Sequence, residues 1–180
     1  FTALEDCAQK LLDALDKYLG NPAGTLRGMT TDGNTILRAL HYPALDDHTH
    51  IPGAIRAAAH EDINIITLLI TSTASGLQLQ RRDGTWMNVN AEPGEIIVDS
   101  GDMLARITNG LLPATTHRVV NPDDGGARRF SLPFFVHPRP DVLLRVLDQC
   151  RGSGFPKPKP DITAMDFLQR RLAAIGLGAL

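Results

Sequence analysis

Between residues 35 and 136 the chain reads as short β-type runs parted by turn residues, and that rhythm narrows the folds open to it. The runs fall at 35–42, 54–60, 65–71, 76–81, 85–89, 95–99, 115–120 and 128–136. Turns recur about every 8–12 residues, which points to a sandwich, barrel or jelly roll rather than alternating βαβ units. The lack of a Gly-x-Gly-x-x-Gly or a phosphate-binding loop agrees with that. Asp83-Gly84, inside Arg82–Thr85, carries the signal of a tight hairpin.

Helical periodicity flanks this region. Leu4, Ala8, Leu11, Leu12, Leu15 and Leu19 recur at three- and four-residue steps and predict a helix over 3–19, stopped by Gly20. Residues 21–34 read as turn-rich, with Pro22, Gly24, Gly28 and Gly33. Residues 102–108 predict one or two helical turns after Gly101, with Asn109-Gly110 as their stop. The stretch 151–160 (RGSGFPKPKP) cannot hold regular structure. Thr163 and Asp166 then open a last helix, about 164–175, with an apolar stripe of Met165, Leu168, Leu172 and Ile175.

Bulk properties exclude some classes of function. A formal charge of −2, with fourteen arginines scattered rather than clustered, argues against nucleic acid or an anionic membrane as the main partner. No run approaches the ~18 apolar residues of a membrane span. Cys7 and Cys150 are the only cysteines, so a disulfide framework is not expected and a reducing cytoplasm is.

The chemistry concentrates in three residues, His60, Asp62 and His117. A His-x-Asp pair on an extended chain presents both side chains to one face. A histidine fifty-five residues beyond Asp62 supplies a third ligand from another strand. Two imidazoles and a carboxylate suit iron(II) and leave three octahedral positions open. Zinc accepts the same donors, although structural zinc sites usually fill a fourth protein position. Arg129 and Ser131 form a second i, i+2 pair, suited to gripping a carboxylate. Phe130, Leu132, Phe134 and Phe135 make this one of the most apolar stretches, where a guanidinium calls for a dedicated anion.

Six segments follow in order: LRALHYP (37–43), RAAAHEDINIITLL (56–69), GLQLQRRDGTW (76–86), DSGDMLARITNG (99–110), THRVVNP (116–122) and RRFSLPFF (128–135). Together they resemble the isopenicillin N synthase-like group of iron(II)/2-oxoglutarate-dependent oxygenases, its bacterial members above all. The resemblance spans the chain from the first helix to the last. It implies a mainly β (α+β) fold, a double-stranded β-helix or cupin-like jelly roll over about 35–137, with helices at either end. It implies that His60, Asp62 and His117 hold iron(II), and that Arg129 and Ser131 hold the distal carboxylate of 2-oxoglutarate. Tyr42, in a Tyr-Pro motif, matches a position whose hydroxyl reaches co-substrate or substrate. Where plant relatives often carry asparagine two residues before that tyrosine, Leu40 stands here. Relatives are longer, so residues 1–180 are expected to form one catalytic domain without the family's N-terminal region.

The implied reaction couples decarboxylation of 2-oxoglutarate by O₂, giving succinate, to hydroxylation, desaturation or cyclisation of a small organic substrate. An oxidase that uses iron and O₂ without an oxo acid shares the Arg-x-Ser pair and stays open. So do a non-catalytic jelly-roll binding domain and a zinc hydrolase on a cupin-like core. Asp46, Asp47, His48 and His50 form a weaker metal candidate in a Pro-flanked loop. Glu61 and His41 should face away from their strands' functional sides, His137 should be exposed, and Trp86 should pack rather than offer a stacking platform.

Overall fold

The computed structural model describes residues 1–45, 53–70, 72–121 and 128–177. Helix α1 covers Thr2–Leu19 and ends at Gly20, whose φ of 70° is the left-handed stop the sequence predicts. Its stripe buries Ala8, Leu12 and Leu19, and also Asp16. A buried carboxylate needs donors, and Asp16 has them: the Leu26 backbone N–H at 3.0 Å and Asn21 Nδ2 at 2.9 Å. Those contacts cap a second helix, α2 (Thr25–Thr30), inside the stretch expected to be turns alone. The correction has a plain cause. The Leu26 N–H in the first turn of α2 is satisfied by a side chain of α1, which no local signal announces.

Among the described residues nine strands follow: β1 (Ile36–Leu37), β2 (Leu40–Tyr42), β3 (Ala57–His60), β4 (Ile66–Ile70), β5 (Leu77–Gln80), β6 (Trp86–Asn88), β7 (Ile96–Ser100), β8 (His117–Val119) and β9 (Arg129–Val136). One sheet runs β1-β9-β4-β7, with β2 also on β9; the other runs β3-β8-β5-β6. All these pairings are antiparallel. Two such sheets face each other as the double-stranded β-helix of a jelly roll. The 35–42 run is two strands, not one, in unbroken register on β9: Leu37 opposes Phe134 and Leu40 opposes Ser131. The gap falls opposite Pro133, which accepts from the Arg38 N–H at 3.0 Å but has no N–H to return.

Strand period decides what each sheet face does. On the five-stranded sheet Ile66, Leu68, Phe134 and Val136 share a face and join Ala8 and Leu12 of α1 in one buried cluster. Phe1 sets its ring edge-on to Phe134 at 5.1 Å. The opposite face, with Thr67, Asp99, Arg129 and Ser131, looks toward the four-stranded sheet. Helix α3 (Asp102–Ile107) adds Met103, Leu104 and Ile107 to the core. Gly101 before it is obligatory, since a Cβ there would lie 2.3 Å from both oxygens of Asn64. The 151–160 loop has no helix or strand and is tied down by Asn109, which donates to the carbonyls of Cys150 (3.2 Å) and Pro156 (2.9 Å). Helix α4 (Ala164–Ala174) starts where Thr163 Oγ1 accepts from the Asp166 N–H at 3.1 Å. Among the described residues no helix is long and apolar enough to cross a membrane.

Candidate metal centre and carboxylate site

His60 and His117 oppose each other directly across β3 and β8, their rings 4.3 Å apart. Asp62, just past β3, turns Oδ1 toward both, 3.9 Å from His60 Nε2 and 3.8 Å from His117 Nε2. One ligand atom from each residue lies within 4.8 Å of the others, so one ion can be shared by all three. Each Nδ1 is tied to backbone, His60 to the Ala58 carbonyl at 2.7 Å and His117 to the Thr115 carbonyl at 3.0 Å. A proton on Nδ1 leaves the Nε2 lone pair free for a metal.

The five-stranded sheet reaches across to this cluster. Thr67 on β4 donates from Oγ1 to Asp62 Oδ2 at 2.5 Å, and Asn64 Nδ2 donates to Thr67 Oγ1 at 2.8 Å. Asp99 on β7 places Oδ2 3.3 Å from His117 Nδ1. Burial pulls the His117 pKa down, but the hydrogen bonds to Asp99 and Thr115 and the charges of Asp62 and Asp99 outweigh it. The net result is a rise to about 9. Without a metal this ring holds a proton that an incoming cation must displace. Thr67, Asn64 and Asp99 reach the cluster, and the sequence pattern did not single them out. For Thr67 and Asp99 the signal was a polar residue within an apolar run, in IITLLI (65–70) and IIVDS (96–100).

Arg129 and Tyr42 are register partners across β9 and β2, as are Ser131 and Leu40. Arg129 is 1% exposed, with Nε donating to the Ala74 carbonyl (3.3 Å) and Nη1 to Ser131 Oγ (3.2 Å). Its guanidinium sits 5.4 Å from the centre of the Tyr42 ring. Burial lowers its pKa, Tyr42 opposes that and Arg56 adds to it. Among the described residues no carboxylate lies within ion-pair distance of Arg129. Among the described residues this buried cation has neutral partners, the arrangement expected where an anionic ligand completes the set.

The remaining candidates separate cleanly. Glu61 stays out of the cluster, accepting from Thr116 Oγ1 at 3.1 Å and facing Arg171. His41 stacks on Phe130 at 4.5 Å, away from Tyr42's side. Trp86 carries the Arg118 guanidinium at 4.0 Å from its ring centre. His137 is not exposed as expected but half-buried. It continues the inward parity of β9, and burial, only partly offset by Asp62, pushes its pKa down to about 4. Asp46, Asp47, His48 and His50 lie outside the described residues.

Fold and site define a jelly roll with a His-Asp-His cluster able to hold a metal ion and a buried guanidinium beside a serine hydroxyl. The family model of the 2OG-Fe(II) oxygenase superfamily matches residues 33–138, and the chain belongs to that family. It is 31% identical, over 94% of its length and 48% of the relative's, to a 2-oxoglutarate-Fe(II) type oxidoreductase of Emericella nidulans. It is 33% identical to a proline hydroxylase of Petromyces alliaceus, over 91% of this chain and 54% of that protein. Among solved structures, a 2OG-Fe(II) oxygenase family protein from Caulobacter crescentus superposes with a TM-score of 0.86 at 41% identity, covering 97% of this chain and 57% of that one. A full-length Neurospora crassa protein, solved in complex with alpha-KG, gives 0.83 at 28% identity, covering 94% and 54%. The chain spans about half the length of the curated relatives it matches.

Proposed function

We propose that this chain carries the catalytic core of an iron(II)- and 2-oxoglutarate-dependent dioxygenase acting on a small organic molecule. The observation that carries this reading is the pairing of two half-sites across one jelly-roll interior: a three-atom metal cluster, and a buried guanidinium without an acidic partner among the described residues. His60 and His117 would bind iron through Nε2 and Asp62 through Oδ1, atoms already turned toward one another. When bound, iron(II) with 2-oxoglutarate and O₂ supplies the oxidising power that converts the oxo acid to succinate and CO₂ and oxidises a C–H bond.

The protein's own work is positioning. Arg129 and Ser131 would hold the distal carboxylate of 2-oxoglutarate in a dry setting, where a charge-assisted contact is strong. Tyr42, packed against Arg129, would keep that guanidinium aimed and place its hydroxyl near the co-substrate. Leu79, the register partner of His117, sets an apolar side chain beside the cluster. Residues 1–180 would act as one catalytic unit, with α1 packed on the outer face of the jelly roll. A near-neutral charge balance, and free Cys7 and Cys150, favour a diffusible substrate in the cytoplasm over nucleic acid or membrane.

The test is release of labelled CO₂ from 1-¹⁴C-2-oxoglutarate by the chain supplied with iron(II). Release that disappears in His60→Ala supports the proposal. Iron-dependent O₂ uptake without labelled CO₂ would instead identify the oxidase that works without an oxo acid. Release undiminished by His60→Ala would overturn the metal assignment.

A further inference from the structure

Thr67 and Asp99 stand directly opposite each other on β4 and β7 and form one rung of the five-stranded sheet. We propose that this rung positions two of the three metal ligands, Thr67 restricting Asp62 to a single ligating oxygen and Asp99 aiming His117. The inference rests on the metal assignment made under Proposed function.

Each half of the rung acts through one defined hydrogen-bonding arrangement. Asn64 Nδ2 donates both to the Ile66 carbonyl at 3.1 Å and to Thr67 Oγ1 at 2.8 Å. The carbonyl contact fixes which end of the amide is nitrogen, so the Thr67 hydroxyl accepts from Asn64 and spends its one proton on Asp62 Oδ2, 2.5 Å away. Asn64 and Thr67 are buried, so no bulk water competes for that proton. Oδ1 of Asp62, which faces both imidazoles, is then the oxygen without that hydrogen bond and the better placed for the metal. A carboxylate free to turn both oxygens to a metal takes up an extra coordination position, one that a co-substrate or O₂ requires. Asp99 meets the Nδ1 edge of His117 at 3.3 Å beside the Thr115 carbonyl. It thereby aims Nε2 at the cluster and makes it a stronger donor. His60 Nδ1 likewise meets a backbone carbonyl, that of Ala58, but among the described residues no carboxylate joins it there.

Titration of the chain with Co(II), read by its visible absorption, tests this without turnover. Thr67→Val keeps the shape and removes the donor. It is expected to bind about tenfold more weakly and to alter the band shape and intensity that report coordination number. Thr67→Ser is expected to restore the wild-type spectrum. Asp99→Asn is expected to weaken binding about tenfold with an unaltered spectrum. A folded Thr67→Val or Asp99→Asn that matches the wild type in both affinity and spectrum would overturn the inference while leaving the metal assignment standing. Should Thr67→Val not fold, Thr67→Ser and Asp99→Asn decide: an altered spectrum in the first or wild-type affinity in the second overturns it. Co(II) binding unchanged by His60→Ala would overturn the metal assignment itself, a result distinct from either.

Discussion

His60 and His117 face each other across one sheet, and Tyr42 and Arg129 face each other across the other, yet the two pairs are sealed to different degrees. At the metal end the His60 side chain is 47% exposed, while at the carboxylate end Arg129 is almost wholly buried. The metal end is held by a carboxylate and a hydroxyl reaching over from the opposite sheet, the carboxylate end by neutral groups of Ala74 and Ser131. The difference follows from charge. Of the metal end only the His60 imidazole reaches water, while the Asp62 carboxylate and His117 are largely covered and find their partners within the fold. A guanidinium deep in the fold is costly until an anion arrives, so it has to be built in place and kept dry.

The two ends should therefore fail separately. Breaking the metal end has the largest effect: His60→Ala is expected to lower 2-oxoglutarate turnover by at least ~10³-fold, beyond what loss of a supporting contact costs, and to weaken Co(II) binding in the same sample. Breaking the other end by Arg129→Met is expected to cut kcat/KM for 2-oxoglutarate by roughly 10²–10³-fold, mostly through KM. Co(II) affinity without 2-oxoglutarate should be unchanged, and the ligand-free melting temperature should equal or exceed that of the wild type, because an uncompensated buried charge is gone. A fall in both Co(II) affinity and melting temperature would show that the two ends are one coupled unit.

His137 probes the interior beyond the metal end. It is neutral when folded, with a pKa near 4, while in the unfolded chain it takes up a proton below its ordinary value of 6.5. Its contribution is thus present above pH 6.5 and lost as pH falls from 6.5 toward 4, up to about 3 kcal/mol. Urea unfolding of the metal-free chain at pH 7 and pH 4.5 should show that loss, and His137→Asn should remove this part of it. The smallest change is Ser131→Ala, which deletes one hydroxyl, the acceptor for Arg129 Nη1, at the carboxylate end. It should cost about 1.5 kcal/mol, read as a roughly tenfold rise in KM for 2-oxoglutarate with Co(II) affinity intact.

Most strands were legible because their period-2 patterns and turn residues are local, and 128–136 reappears almost unchanged as β9. The break between β1 and β2 was not, since its cause is Pro133, some ninety residues away on β9. Helix α2 escaped notice because Asp16 of another helix caps it. In the site, His60, Asp62, His117, Arg129 and Ser131 stood out through spacing and through the family they resemble. Thr67 and Asp99 did not, because a threonine or an aspartate in an apolar strand gains meaning only from what lies opposite it.

By itself the sequence determined the β rhythm, the flanking helices, the metal-type residues and the arginine that needs an anion, all properties written in spacing and side-chain chemistry. The tertiary structure decided which residues meet. It set His60 against His117 and Tyr42 against Arg129, and brought one rung of the second sheet behind two candidate ligands. It also decided degrees of burial: the sequence left His137 in water, and the fold half-buries it. The physical reason is that strand pairing and sheet packing are contacts between distant segments, fixed by register and burial rather than by any window of neighbouring residues.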